Sequence, residues 1–240
     1  MSENSLNKDN IDIVLKDLSK EIKKRCGRKT SAEIILIGGA SILINYGFRE
    51  MTYDVDAIIN ASSSMKDAVN FIGDKYNLPK GWLNTDFIYT ESYSPKISEF
   101  STYYRTYSNT ISFRTITSEY LIAMKLRSAR KYKNDRSDIV EILMEEESQG
   151  NPITLSQIKR AVENLYGSYD ILNKEVRHFI ENIIAEGHYQ ELYERIRENE
   201  NETKNVLLEH QRLKPRSLNS DNVNEIISIL QRRKADDQGS

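Results

Sequence analysis

The sequence predicts an α+β fold: a small mixed β-sheet domain flanked by helices over residues 1–150, then a helical region over residues 151–240. Three observations carry this expectation. Short apolar, β-prone runs alternate with helix-patterned stretches up to residue 147. The segment "ESQGNP" at 147–152 gathers turn formers and marks a boundary. Beyond it every apolar stripe has helical spacing.

The elements follow in order. Over residues 9–26, Ile11, Val14, Leu15, Leu18 and Ile22 make one helical stripe, and "KKRCGRKT" with Gly27 ends it. Glu33–Ile37 reads as a buried strand, Gly38-Gly39 as a turn, and Ala40–Tyr46 as a short helix stopping near Gly47. Tyr53–Ile59 is β-prone again, and residues 64–76 read as a helix with Met65, Ala68, Val69, Phe71 and Ile72 apolar. A loop with Pro79 follows, anchored by Trp82. Residues 86–90 and 111–116 read as strands, and the Tyr- and Ser-rich stretch between them as a place for another. Ser118–Lys133 and Arg136–Glu147 read as helices. Thr154 with Gln157 has capping-box spacing. Ile158, Ala161, Val162 and Leu165 form one stripe, and Val176, Phe179, Ile180, Ile183 and Ile184 another. The charged run 195–206 is either a solvated helix or a mobile linker, and the last six residues, "ADDQGS", read as a disordered tail.

Composition narrows the function classes. A net charge of -2 over 240 residues excludes a chain that is basic throughout, while leaving room for a local basic patch. No apolar run approaches the ~20 residues that span a bilayer. The polar start "MSENSLNKDN" lacks the apolar centre of a signal peptide, and the single cysteine, Cys26, cannot form an internal disulfide. A cytoplasmic location is therefore expected. His178, His188 and His210 have no Cys or Asp neighbour at ligand spacing, so no zinc site is expected.

The chemistry concentrates in "IILIGGASILINYGFREMTYDVDAIIN", residues 34–60. Strand side chains alternate faces, so Asp54 and Asp56 project together while Val55 enters the core. Two adjacent carboxylates repel, and a divalent cation resolves this: Mg²⁺ takes oxygen ligands, commonly one or two carboxylates plus substrate phosphates. Gly38-Gly39 lets backbone N–H groups approach a ligand, and the helix start behind it favours phosphate. Either motif alone is weak, since acid pairs and glycine pairs are common on surfaces and in turns.

An apolar residue, two glycines, a short helix and Asp-x-Asp on the next strand resemble the nucleotidyltransferase superfamily of DNA polymerase β-like fold; here these are Ile37, Gly38, Gly39, Asp54 and Asp56. Thr52, with Arg49 upstream, is similar to the bacterial branch that includes the AbiEii-type toxins. "LPKGWLN" and "TSEYLIAMKLRSARKYKNDRSDIVEIL" are similar to uncharacterised bacterial nucleotidyltransferase-like proteins near that branch. The resemblance covers about residues 30–147. It implies a nucleoside triphosphate held at Gly38 and Gly39 with Thr52, and Mg²⁺ or Mn²⁺ on Asp54 and Asp56. It also implies that Lys125 contacts the triphosphate or the developing charge, and that Arg130 and Asp138 complete the pocket. An RNA acceptor, tRNA among them, a toxin role and a cognate antitoxin are implied as well.

The residues alone leave other readings open. Helical positions five apart lie about 140° apart, so Lys125 and Arg130 do not share a face. On that spacing Leu121, Met124, Leu126 and Ala129 are core, and Arg127, Arg130 and Lys131 a solvated face. Asp135 and Asp138 equally suit the cap of the next helix. Many superfamily members carry a third carboxylate on a later strand, and "TISFRTI" has none; Asp86, Glu91 and Glu99 are candidates without strand context. A catalytically degenerate nucleotide binder is therefore the alternative. The basic stretch Tyr103–Arg136 with Tyr103, Tyr104 and Tyr107 reads either as an RNA surface or as a solvated face.

Overall fold

A computed structural model describes residues 4–46, 48, 51–52, 55–59, 63–130, 133–214, 222–223, 226–227 and 229. Arg49, Tyr53, Asp54, Lys131 and the tail 235–240, on all of which expectations were placed, lie outside the described residues.

The α+β class holds, and the sheet is organised around strand β2 (Ala32–Leu36). Ile34, Ile35 and Leu36 are all buried, as a strand covered on both faces requires. β2 pairs antiparallel with β4 (Val55–Ile59) and parallel with β7 (Ile111–Ile116). β5 (Leu83–Asn84) extends the sheet beyond β4, and β6 (Ser101–Tyr107) beyond β7, giving the order β5-β4-β2-β7-β6. A separate two-stranded ladder pairs β1 (Leu6–Asn7) with β3 (Met51–Thr52).

Helices α1 (Ile11–Cys26) and α3 (Ser63–Tyr76) cover one face. Val14, Leu15, Leu18 and Ile22 pack there with Leu36, Val55, Ala57 and Phe113. Each large apolar side chain buried in this way contributes about 1.5–3 kcal/mol. Trp82 anchors its loop as expected: it is buried, and its indole N–H donates to the Val69 carbonyl at 2.9 Å.

Three local expectations are corrected. Gly38-Gly39 is not a turn before a helix; the glycines are the first residues of α2 (Gly38–Asn45). Residues 86–90 are not a strand: Asp86–Tyr89 is a 3-10 turn, because the edge strand comes earlier, at β5. Helix α4 (Ser118–Ser128) stops short of Lys133. There Ala129 takes φ +40°, and the Asp135 carboxylate holds the turn by accepting from Ser128 Oγ at 2.8 Å and Arg130 N at 3.2 Å.

The chain divides into two compact units, Met1–Arg127 with Ile153–Ile171, and Ser128–Pro152 with Leu172–Ser240. Compared with a division at 150/151, residues 128–152 join the helical unit and residues 153–171 the sheet unit. Helix α6 (Leu155–Tyr166) starts from the expected capping box and packs within the sheet unit, where Ser94 Oγ donates to the Leu165 carbonyl at 2.7 Å and Tyr166 donates to the Ser92 carbonyl at 2.7 Å. The helical unit contains α5 (Asp135–Ser148), α7 (Lys174–Glu186) and α8 (Tyr189–Leu213). The charged run 195–206 is thus part of a helix, and His178 is exposed on α7. Among the described residues no helix is long and apolar enough to cross a membrane.

Candidate active site

The chain leaves β2 at Leu36 and passes an extended Ile37 into α2. Gly38 opens that helix with φ +57°, a conformation that costs an L side chain about 1–2 kcal/mol. A Cβ there would lie 3.7 Å from Asp56 Oδ2, an ordinary contact, so the backbone angle and not lack of space demands glycine. The same distance places the Asp56 carboxylate against the first turn of α2. The Ile37 amide donates to the Asp56 carbonyl at 2.8 Å, which ties the helix entrance to β4.

Asp56 is half-buried, between the buried Val55 and Ala57, so the alternation expected of this strand is observed. It stands next to a helix start, where unsatisfied N–H groups and the helix dipole favour negative charge. Its neighbour in register on the parallel strand is Asn84. That residue was missed, because a two-residue edge strand leaves no periodic signal in the sequence. Beyond β5 a cleft of about 420 Å³ opens between β4 and α3, with Asn84, Thr85, Asp86 and Lys66 on its walls.

The other predicted residues occupy distinct places. Gly39 is the second residue of α2. Thr52 is buried in β3, in register with Leu6. Lys125 is only 9% exposed, within α4 beside the buried Met124 and Leu126. Leu121, Met124 and Leu126 are core, as their spacing implied. Arg130 and Asp138 belong to the helical unit. There the Arg130 guanidinium grips the buried Asp135 with two bonds, Nε to Oδ2 at 2.9 Å and Nη2 to Oδ1 at 3.2 Å, while Asp138 is buried in the first turn of α5. With Asp135 fixing the turn ahead of α5, its structural role is the local one.

No third carboxylate stands on β7. Register places Arg114 opposite Ile35, on the same sheet face as Asp56, and its guanidinium donates to Ser101 Oγ at 2.6 Å and to the Ser101 carbonyl at 2.5 Å. Asp86 is exposed at the start of its 3-10 turn, Glu91 pairs with Arg127 at 3.1 Å, and Glu99 is exposed in another 3-10 segment. Among the described residues no three acidic, His or Cys side chains gather into a cage for a metal ion. Near the start of α2 the Asp56 carboxylate offers oxygen donors of the kind a hard divalent cation takes.

No curated protein and no solved structure matches the chain. Residues 14–197, which take in β2, the glycine start of α2 and the strand carrying Asp56, match the family described as "nucleotidyltransferase of unknown function" (DUF6036), and the chain belongs to that family.

Proposed function

We propose that this protein transfers a nucleoside monophosphate from a nucleoside triphosphate to an acceptor hydroxyl. The observation that carries the reading is the Asp56 carboxylate beside Gly38 at the first turn of α2. Phosphate oxygens would be received at Gly38 and Gly39, where backbone N–H groups and the helix dipole favour them. Asp54 and Asp56 would hold Mg²⁺ or Mn²⁺, whose charge offsets that of the phosphates. The acceptor oxygen forms a bond to the α-phosphorus, the bond to the bridging oxygen of the β-phosphate breaks, pyrophosphate leaves with the electron pair, and the hydroxyl proton passes to solvent. Lys125, a buried cation, would balance charge in that step.

The acceptor proposed is RNA, with tRNA the first to test, in a toxin paired with an antitoxin; this part rests on the resemblance over residues 30–147. A test incubates the full chain with Mg²⁺, each α-labelled nucleoside triphosphate in turn, and total bacterial RNA and protein, beside the Asp54→Asn/Asp56→Asn variant. Label in RNA that disappears with the variant supports the reading. Label confined to protein would refute the RNA acceptor. Arg114 on the sheet face of Asp56 favours a second reading, a nucleotide binder without transfer activity, which metal-dependent triphosphate binding without product would identify.

A further inference from the structure

The basic stretch 103–136 is largely consumed inside the fold. Arg105 pairs with Asp12 at 2.5 Å, Arg127 with Glu91 at 3.1 Å, Arg130 with Asp135 at 2.9 Å and Arg136 with Glu175 at 2.6 Å. Tyr104 and Tyr107 are turned inward onto the same Asp12, at 2.6 and 2.8 Å. A group of surface cations lies instead along the C-terminal part of α1 and just after it. Residues 16–29 hold seven lysines and arginines against two carboxylates, in a chain whose net charge is -2.

Each of those two carboxylates is shared by two cations. Asp17 serves Lys20 at 2.9 Å and Lys75 at 2.5 Å; Glu21 serves Arg25 at 2.7 Å and Lys24 at 3.7 Å. Arg28 and Lys29 are exposed and meet no carboxylate among the described residues. On α3, which packs against α1, Phe71 is 44% exposed. Arg25 Cζ stands 5.3 Å and Lys24 Nζ 5.8 Å from its centroid.

We propose that this surface binds a single strand of nucleic acid. Excess cations attract the phosphates, and an open aromatic face flanked by a guanidinium stacks an unpaired base. A duplex, whose bases are already stacked, offers no such base. The surface is not the reacting site. α1 and α3 cover the sheet face opposite Asp56, and the α1 end adjoins the start of β2, about 20 Å along the extended chain from Gly38. It anchors the strand at a distance from the chemistry.

The test is fluorescence anisotropy of the full chain with a labelled 20-residue oligouridylate, without nucleotide or divalent cation, across a salt series. Binding should weaken with salt. Arg28→Ala/Lys29→Ala should flatten the slope of log affinity against log salt by about 1.4, at ~0.7 per lost contact. Phe71→Ala should weaken binding about tenfold. Asp56→Asn should bind like the parent, so this result is independent of the transfer assay. Oligothymidylate should bind comparably, since no 2′-hydroxyl contact is invoked, and a duplex more weakly. Absence of binding, an unchanged salt slope in the double variant with unchanged melting, or binding to phosphatidylserine vesicles but not to the oligomer would each overturn the proposal.

Discussion

Two carboxylates that come to helix starts from other elements, Glu200 and Asp56, are treated in opposite ways. Glu200 of α8 is buried at the start of α5, where it accepts from the Arg136 amide at 3.1 Å, the Ser137 amide at 3.2 Å and Ser137 Oγ at 2.6 Å. Asp56 stands beside the start of α2 and is only half-buried. Both use the same physics, the unsatisfied N–H groups and positive end of a helix. At α5 the chain fills that end with its own acid and closes it from water. At α2 the first two residues are glycines, so no side chain of the helix covers its end. The first arrangement stabilises a fold; the second is suited to receiving an external anion.

Removing each carboxylate separates the two roles. Asp56→Asn should lower transfer on the order of 10³-fold, the several kcal/mol that charge neutralisation of phosphates supplies, while unfolding in urea shifts little. Steady-state incorporation of α-labelled nucleotide measures the first and circular dichroism the second. Glu200→Ala should do the reverse. It strands the buried amides of α5 and should cost about 2–3 kcal/mol of stability, seen as a lowered urea midpoint, with nucleotide binding per folded molecule retained. If Asp56→Asn destabilised as much as Glu200→Ala, the two sites would be of one kind.

Gly38→Ala sharpens the contrast at α2. Its methyl group would meet Asp56 Oδ2 at 3.7 Å without clash, so the cost is the φ of +57° alone, about 1–2 kcal/mol. Expected is a modest loss of melting temperature with a larger loss of triphosphate affinity, as the helix start shifts to relieve the angle. Calorimetric titration with a nucleoside triphosphate checks the second part.

How much of this was legible in the sequence depends on the range of the interaction. β2, β4 and the α1 stripe were readable because their periodicity is local and their burial follows it. Gly38 was found, but its conformation was misread: a helix can begin on a left-handed glycine, and nothing in the residue order reveals it. The end of α4 was missed because Asp135, seven residues beyond Ser128, decides it through its side chain. Asn84 beside Asp56, Glu200 at α5 and the pair of Asp17 with Lys75 depend on contacts between elements, which spacing along one element does not contain. The basic stretch 103–136 shows the same limit from the other side, because its arginines look available until their acid partners arrive from α1, α7 and the loop at Glu91.

The smallest effect is one of sign. Hydrogen bonds from Lys75, Lys20 and Tyr76 hold the Asp17 carboxyl well below the usual carboxylate range. Burial pushes Glu200 above its ordinary value; the bonds from Ser137 and Arg136 oppose that shift, and nearby Asp138 adds to it. Asp17 therefore contributes stability that is present above its unfolded pKa of 3.8 and is lost as pH falls through the depressed folded value. Glu200 contributes stability that is fully present below its unfolded pKa of 4.5 and is lost as pH rises through the raised folded value. Relative to Asp17→Asn, the parent should lose its advantage on acidification. Relative to Glu200→Gln, it should lose ground as the solution passes from pH 4.5 toward neutrality. Urea unfolding of the three proteins from acid below pH 3.8 up to neutrality measures both differences. Slopes of the same sign would mean that the Glu200 carboxylate is held by its helix-start bonds more strongly than burial penalises it, which would make it an anion site as favourable as the one proposed at α2.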